Sequence, residues 1–245
     1  MEFSREEQLI GVVTRMLDGQ RNVSVGTNSP IPAAAALLAQ KLTGGWTRPL
    51  LLGSDRYYPS NDGGVEFHDR AAQGRVDVFF LGGGQIDGEG NINLVGIGEY
   101  PQMKVRLPGS FGSAFLYLMV PRVILFREEH SARVLVPKVD FISAPGWSPP
   151  EVYRRGGPYA LITSMAVFAY DKARHRFRLD HVHSGCTVEE VRANTGFDFD
   201  LADPVTETPP PDPAWLPLIR GEIAAELHHL YPRFATEKLG FAPAA

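Results

Sequence analysis

Apolar residues recur at helical spacing through Leu9, Ile10, Val12, Val13, Met16 and Leu17, behind a capping-box pair, Ser4 and Glu7. This pattern predicts a first helix that stops at Gly19. Arg21–Gly26 reads as a short strand. The alanine-rich run to Leu42 predicts a second helix, capped by Asn28 or Ser29, with Pro30 or Pro32 in its first turn and Gly44-Gly45 at its end. Pro49–Leu52 and Val76–Leu81 are continuous apolar runs, the signature of parallel strands covered on both faces. Strand, helix and strand in this order open an α/β fold.

The pattern changes at Gly82. Asp87-Gly88-Glu89-Gly90-Asn91 is a turn signal between apolar flanks and predicts a hairpin. Strands are expected at Arg122–Phe126, Arg133–Val136, Val139–Ser143, Tyr159–Ser164, Ala166–Tyr170 and Phe177–His181. Thr187 and Glu190 open a short helix with a second capping box. Thr208–Pro213 is an extended proline linker, and an amphipathic helix follows from about Leu216 to Leu230. The whole is expected to be one domain, residues 1–245, with a C-terminal helical arm from about 209 to 245.

Composition narrows the function classes. The chain has 245 residues, 44% of them hydrophobic and 21% charged, which is ordinary for a globular protein. A formal net charge of −4 argues against a nucleic-acid partner. Apolar runs such as Ala33–Ala39 fall far short of the roughly 20 residues that span a bilayer. The acidic start, Glu2-Phe3-Ser4-Arg5-Glu6-Glu7, carries no apolar stretch of a secretory signal, and cytoplasmic location is the expectation. A single cysteine, Cys186, excludes an internal disulfide.

Candidate chemistry gathers at strand ends and glycine turns. Gly82-Gly83-Gly84-Gln85 follows a strand directly, where glycines let a backbone approach a ligand and expose N–H donors. A purely conformational turn explains the same residues. It is neither a dinucleotide fingerprint nor a phosphate-binding loop. Asp87, Glu89 and Asn91 alternate like a calcium loop, but Ile92 stands where that loop needs glycine. Gly109-Ser110-Phe111-Gly112-Ser113 offers either oxyanion-type amides or a helix start capped by Ser110. His181 and His183 fit structural or surface roles better than a metal site. Gly53, Ser54 and Arg56, with Tyr57, Tyr58 and then Asp62-Gly63-Gly64, follow the Pro49–Leu52 strand. Ligands in open α/β sheets bind beyond such ends.

Taken in order from about Leu9 to Leu230, these segments resemble the β subunit of class I coenzyme A transferases, the glutaconate CoA-transferase type. The resemblance rests on Val25-Gly26-Thr27 before an alanine-rich helix, Gly82-Gly83-Gly84-Gln85-Ile86-Asp87 with Gly90-Asn91-Ile92-Asn93, and Gly98-Glu99-Tyr100. Pro108–Gly112, Val139–Trp147 and Asn194–Asp198 complete it. It implies an open, mainly parallel sheet flanked by helices, with added antiparallel strands. In that family the strand ends in a glutamate followed by serine, and the glutamate carries the acyl group. Here Leu52-Gly53-Ser54 leaves glycine in its place. Asp55, two residues on, is too far displaced to substitute.

A scaffold without its nucleophile resembles a branch of the same family, the Ipd-type hydrolases that open the last steroid ring as a CoA thioester. That resemblance implies an α2β2 heterotetramer whose α subunit supplies a general-base glutamate, with no cofactor beyond the CoA of the substrate. It casts Gln85 and the amides around Gly83, Gly84, Gly109 and Ser110 as oxyanion donors. Gly53 and Ser54 then shape the pocket, and Arg56 meets a substrate carboxylate. Two alternatives stay open: a CoA transferase whose acyl-carrying carboxylate comes from elsewhere, and a non-catalytic structural subunit. The apolar stripe Leu216, Ile219, Ile223 and Leu227 suits either a partner or the chain's own packing.

Overall fold

The computed structural model describes residues 2–59 and 64–243. The chain forms two compact units. One comprises Met1–Glu66, Arg75–Phe79 and Pro209–Ala245; the other comprises Phe67–Gly74 and Phe80–Thr208.

In the first unit, α1 (Arg5–Met16) starts at the predicted box. Ser4 Oγ accepts from the Glu7 amide, and Glu7 accepts from the Ser4 amide at 2.8 Å. Strand β1 (Asn22–Val25) is followed by α2 (Pro30–Leu42), which has proline in its first turn; Ser29 precedes it but makes no side-chain cap. Strand β2 (Arg48–Leu51) pairs in parallel with β1, as does β3 (Val78–Leu81) through Val78 and Phe79. Ile31 and Ala33–Ala36 are fully buried, so α2 is apolar nearly all round, as a helix covered on several sides must be. Helix α3 (Val65–Ala72), most of which belongs to the second unit, has no counterpart among the elements expected from the sequence.

The C-terminal arm is not one regular helix. It runs as α6 (Trp215–Leu218), a π-helical turn (Ile219–Ile223) and α7 (Ala224–His228), and ends in α8 (Pro232–Leu239). Leu216, Ile219, Ile223 and Leu227 are buried, with the π-helical turn and α7 lying against α2. Their stripe therefore serves the chain's own core rather than a partner. Ion pairs fasten the polar side: Arg220–Glu7 at 2.5 Å, Lys41–Glu222 at 2.6 Å, Arg56–Glu226 at 2.7 Å and Lys238–Glu6 at 2.8 Å.

The second unit holds the hairpin β4 (Gln85–Ile86) with β5 (Ile92–Asn93), and another, β6 (Gly96–Ile97) with β7 (Val105–Arg106). Helix α4 (Ser113–Met119) leads to β8 (Arg122–Arg127). Strand β8 pairs in parallel with β9 (Pro158–Thr163). Strands β9, β10 (Ala166–Asp171) and β11 (Arg176–Val182) are antiparallel neighbours. Helix α5 (Val188–Asn194) has the predicted Thr187–Glu190 box and leads to β12 (Asp200–Glu207), parallel to β11. Arg133–Val136 and Val139–Ser143 are not strands. Each forms one isolated β-bridge with the hairpin instead of a ladder: Ile86 with Leu135 and, just past the second segment, Ile92 with Ala144. Their apolar residues report burial of a loop: Val134, Leu135 and Val139 are all buried beside that hairpin. No helix among the described residues is long and apolar enough to cross a membrane.

Two buried histidines tie this unit together. His183 Nδ1 meets Thr208 Oγ1 at 2.7 Å, and its Nε2 meets the Thr163 carbonyl at 3.0 Å. His130 Nδ1 meets Thr163 Oγ1 at 2.7 Å, and Nε2 meets Thr195 Oγ1 at 3.0 Å. Burial pushes the His130 imidazolium down to a pKa of about 4. A depressed histidine pKa means that the unfolded chain binds the proton first. The stability held above pH 6.5 is therefore lost as pH falls toward 4, by about 3 kcal/mol. Urea midpoints at pH 7 and pH 4.5 should converge by that order in His130→Gln relative to wild type. Equal pH dependence in the two proteins would refute the assignment.

Candidate functional site

In the first unit the candidate site is the turn after β2. Leu52 N–H donates to the Val25 carbonyl at 3.0 Å, and Ser54 N–H donates to the Leu51 carbonyl at 3.1 Å. Between them Gly53 has φ +89°, the left-handed region that disfavours side chains. Among the described residues a Cβ there would meet Thr27 Cγ2 at 3.7 Å and Leu230 Cδ1 at 3.9 Å, ordinary contact distances, so no described neighbour crowds the position. A cavity of about 310 Å³ lies here, walled by Gly53–Tyr57, Leu51, Glu226 and Leu230 among others.

Ser54 Oγ accepts from the Tyr57 amide at 3.3 Å and so holds the turn. Arg56, predicted to meet a substrate carboxylate, places one guanidinium nitrogen 2.7 Å from each carboxylate oxygen of Glu226. Burial, with Glu226 next, raises the pKa of the Tyr57 phenol. Glu226, brought in by the arm, is the site carboxylate that sequence spacing did not reveal; 170 residues separate it from Arg56. Asp62 and Gly63 lie outside the described residues.

In the second unit the glycine loop has a steric purpose. A Cβ on Gly83 would lie 2.6 Å from Ile92 Cγ2, and one on Gly84 would lie 2.5 Å from Leu107 Cδ1. Close packing, not left-handed backbone, calls for glycine at Gly83, where the Gln85 carbonyl oxygen would also lie 2.9 Å away; at Gly84 the obstacle is the end of the Leu107 side chain. The Gly84 amide donates to the Asn93 carbonyl at 2.9 Å, and the Gly109 amide donates to the Leu94 carbonyl at 2.8 Å. These two amides are therefore committed to the fold and are not oxyanion donors. The Gly83 and Ser110 amides make no hydrogen bond among the described residues and retain that capacity. Ser110 does not cap α4 with its side chain; its carbonyl accepts from the Ser113 amide at 2.8 Å, and Gly112 takes the N-cap position.

Gln85 is buried and its Oε1 is fixed. It accepts from Asn93 Nδ2 at 2.7 Å and from the Asp140 amide at 3.0 Å. Its Nε2 has no hydrogen-bond partner among the described residues, so the carboxamide is oriented with its donor end unspent. Asn93, fully buried, is the residue that sets this orientation, and its Oδ1 also accepts from the Val95 and Gly96 amides. Asp87 plays no metal role. Its carboxylate accepts from the amides of Glu89, Asn91 and Val139 and from Asn91 Nδ2, which locks the hairpin tip. Burial raises its pKa against these hydrogen bonds.

A family model described as coenzyme A transferase matches residues 57–194. The chain belongs to the coenzyme A transferase family. It is 33% identical to the β subunit of glutaconate CoA-transferase from Acidaminococcus fermentans over 167 residues, covering 65% of this chain and 62% of that protein. It is 32% identical to the cholesterol ring-cleaving hydrolase IpdB subunit of Rhodococcus jostii over 149 residues, covering 59% and 58%. The chain therefore matches about six tenths of the length of these curated relatives. The crystal structure of the decarboxylase AibA/AibB aligns with a TM-score of 0.75 at 25% identity, covering 91% of this chain and 98% of that one. The chain has the β-subunit fold of this family, and the scaffold is shared by relatives named for different reactions.

Proposed function

We propose that this chain is the β subunit of a CoA-thioester hydrolase that opens the last steroid ring, working in the cytoplasm in an α2β2 complex with an α subunit. One observation carries the reading. At the end of β2, where transferases of this type hold their glutamate, Gly53 presents no side chain and a left-handed φ, with no described neighbour closer than 3.7 Å to where a Cβ would stand. Without an acyl-carrying group there, water is the nucleophile. A general base on the α subunit takes a proton from water, whose oxygen adds to a ring ketone β to the thioester carbonyl. The C–C bond breaks, its electron pair is held as the thioester enolate, and a proton then quenches that carbon. The ketone carbon becomes a carboxylate that stays in the same opened molecule, and the thioester survives, so no cofactor is needed. The first unit contributes a pocket wall at Gly53 and Ser54; the donors that the second unit offers are Gln85 Nε2 and the Gly83 and Ser110 amides.

A second reading, CoA transfer to an acceptor acid, draws on Glu226, a carboxylate in the same cavity as Gly53. Its clamp by Arg56 weighs against it, since an ion-paired carboxylate is a poor nucleophile.

The test is turnover of a cyclic β-keto acyl-CoA by the copurified complex in ¹⁸O-labelled water, with and without acetate or succinate. One labelled oxygen in a product still attached to CoA, at a rate indifferent to acceptor, is the expected result. Free acid with acetyl-CoA or succinyl-CoA, abolished by Glu226→Gln, would establish the transferase instead.

A further inference from the structure

The second unit contains a cleft of about 320 Å³ between the Gly146–Gly157 segment and the turn joining β10 to β11. Its volume is at the lower end of the small-molecule range. The wall carries Arg154, Arg155, Lys172 and His175 and, among the described residues, no carboxylate. That is a local reversal of sign in a chain whose formal net charge is −4.

Neutral groups hold Arg154 in place. Arg154 donates from Nε to Ser148 Oγ at 2.9 Å and from Nη2 to the Pro145 carbonyl at 2.7 Å, with longer contacts to the Gly146 and Tyr117 carbonyls. These oxygens fix the guanidinium without cancelling its charge. The Arg155 guanidinium rests where a side chain on Gly74 would stand. Among the described residues neither arginine, nor Lys172, pairs with a carboxylate. Burial, then the charges of Arg154 and Arg122, lower the Lys172 pKa from the usual lysine value, as expected where cations crowd without a counterion. Beside them Trp147 stacks on His175, centroids 4.6 Å apart and planes 8° from parallel, with Trp147 36% exposed. Cations without a carboxylate partner suit phosphate, and a flat, partly exposed aromatic pair suits a purine.

We propose that this cleft binds an adenosine phosphate, with Arg155 and Lys172 on the phosphate groups and the Trp147–His175 stack beside the base. Two sources share that chemistry: the nucleotide end of a CoA thioester, and a free adenine nucleotide. The inference does not depend on which reaction the thioester undergoes.

The test is equilibrium dialysis of the full chain, with its copurified partner, against adenosine 3′,5′-bisphosphate, with CoA and pantetheine as competitors. Saturable binding should weaken at least about tenfold in Lys172→Gln and in Arg155→Gln, each a lost charged hydrogen bond. It should stay unchanged in Arg133→Gln, whose side chain pairs with Glu129 outside the cleft. Displacement by CoA but not by pantetheine identifies the thioester's own nucleotide. Binding that CoA does not displace identifies a free nucleotide and still supports the site. No saturable binding, or wild-type affinity in both cleft variants, overturns it. Because the readout is binding, loss of the ring-opening reading would leave this result standing.

Discussion

Gln85→Glu should lower kcat of the assembled enzyme by about 100-fold while the protein stays folded. The carboxamide has two ends with different tasks. Its Oε1 accepts from Asn93 Nδ2 and the Asp140 amide, and a glutamate oxygen can accept both. Its Nε2 makes no hydrogen bond within the described residues and is the end available to a developing oxyanion. Glutamate removes that donor and puts negative charge in its place, so the loss falls on the transition state. Alanine is a poorer probe: it strands two donors at a buried position, at about 1–3 kcal/mol each, and mixes lost stability with lost rate. The check is kcat beside a urea midpoint for the glutamate variant. A near-normal midpoint with normal kcat would remove Gln85 from the chemistry.

Gly146→Ala should cost at least about 3 kcal/mol, enough to lower the urea midpoint markedly. The added Cβ would fall inside the Glu89 carbonyl oxygen and lie 2.7 Å from the Gly90 carbonyl carbon. That backbone cannot retreat. Asp87 holds the Glu89 amide, Tyr170 donates to the Glu89 carbonyl at 2.7 Å, and Tyr117 donates to the Gly90 carbonyl at 2.7 Å. Gly221→Ala is the contrast. Gly221 lies in the π-helical turn with no atom of the described residues within 4 Å of an added Cβ, so alanine there should raise stability by up to about 1 kcal/mol. Similar midpoints for the two variants would show that the hairpin tip yields.

Membership of the coenzyme A transferase family was legible because its marks are short segments in fixed order, and the glycine at position 53 is a property of one residue. The consequences of that glycine were not legible. Whether the position is roomy depends on Thr27 and Leu230, and whether a carboxylate stands near depends on Glu226, far along the chain. The glycine amides make the same point. Sequence marks Gly84 and Gly109 as exposed donors, but the Asn93 and Leu94 carbonyls of the folded hairpin take both.

The elements determined by the sequence itself are those whose bonds close within a few residues. The boxes Ser4–Glu7 and Thr187–Glu190, the proline start of α2 and the turn at Asp87–Asn91 each carry donor and acceptor in one short stretch. Apolar runs determined burial but not conformation. Val134 and Leu135 are buried as predicted, yet lie in a loop, because neighbouring backbone offers them one bridge instead of a ladder. The tertiary structure decided which side of the arm faces inward, which amides remain free, and how Gln85 is turned. Each of these depends on a partner supplied from elsewhere in the chain, and sequence spacing does not encode where that partner stands.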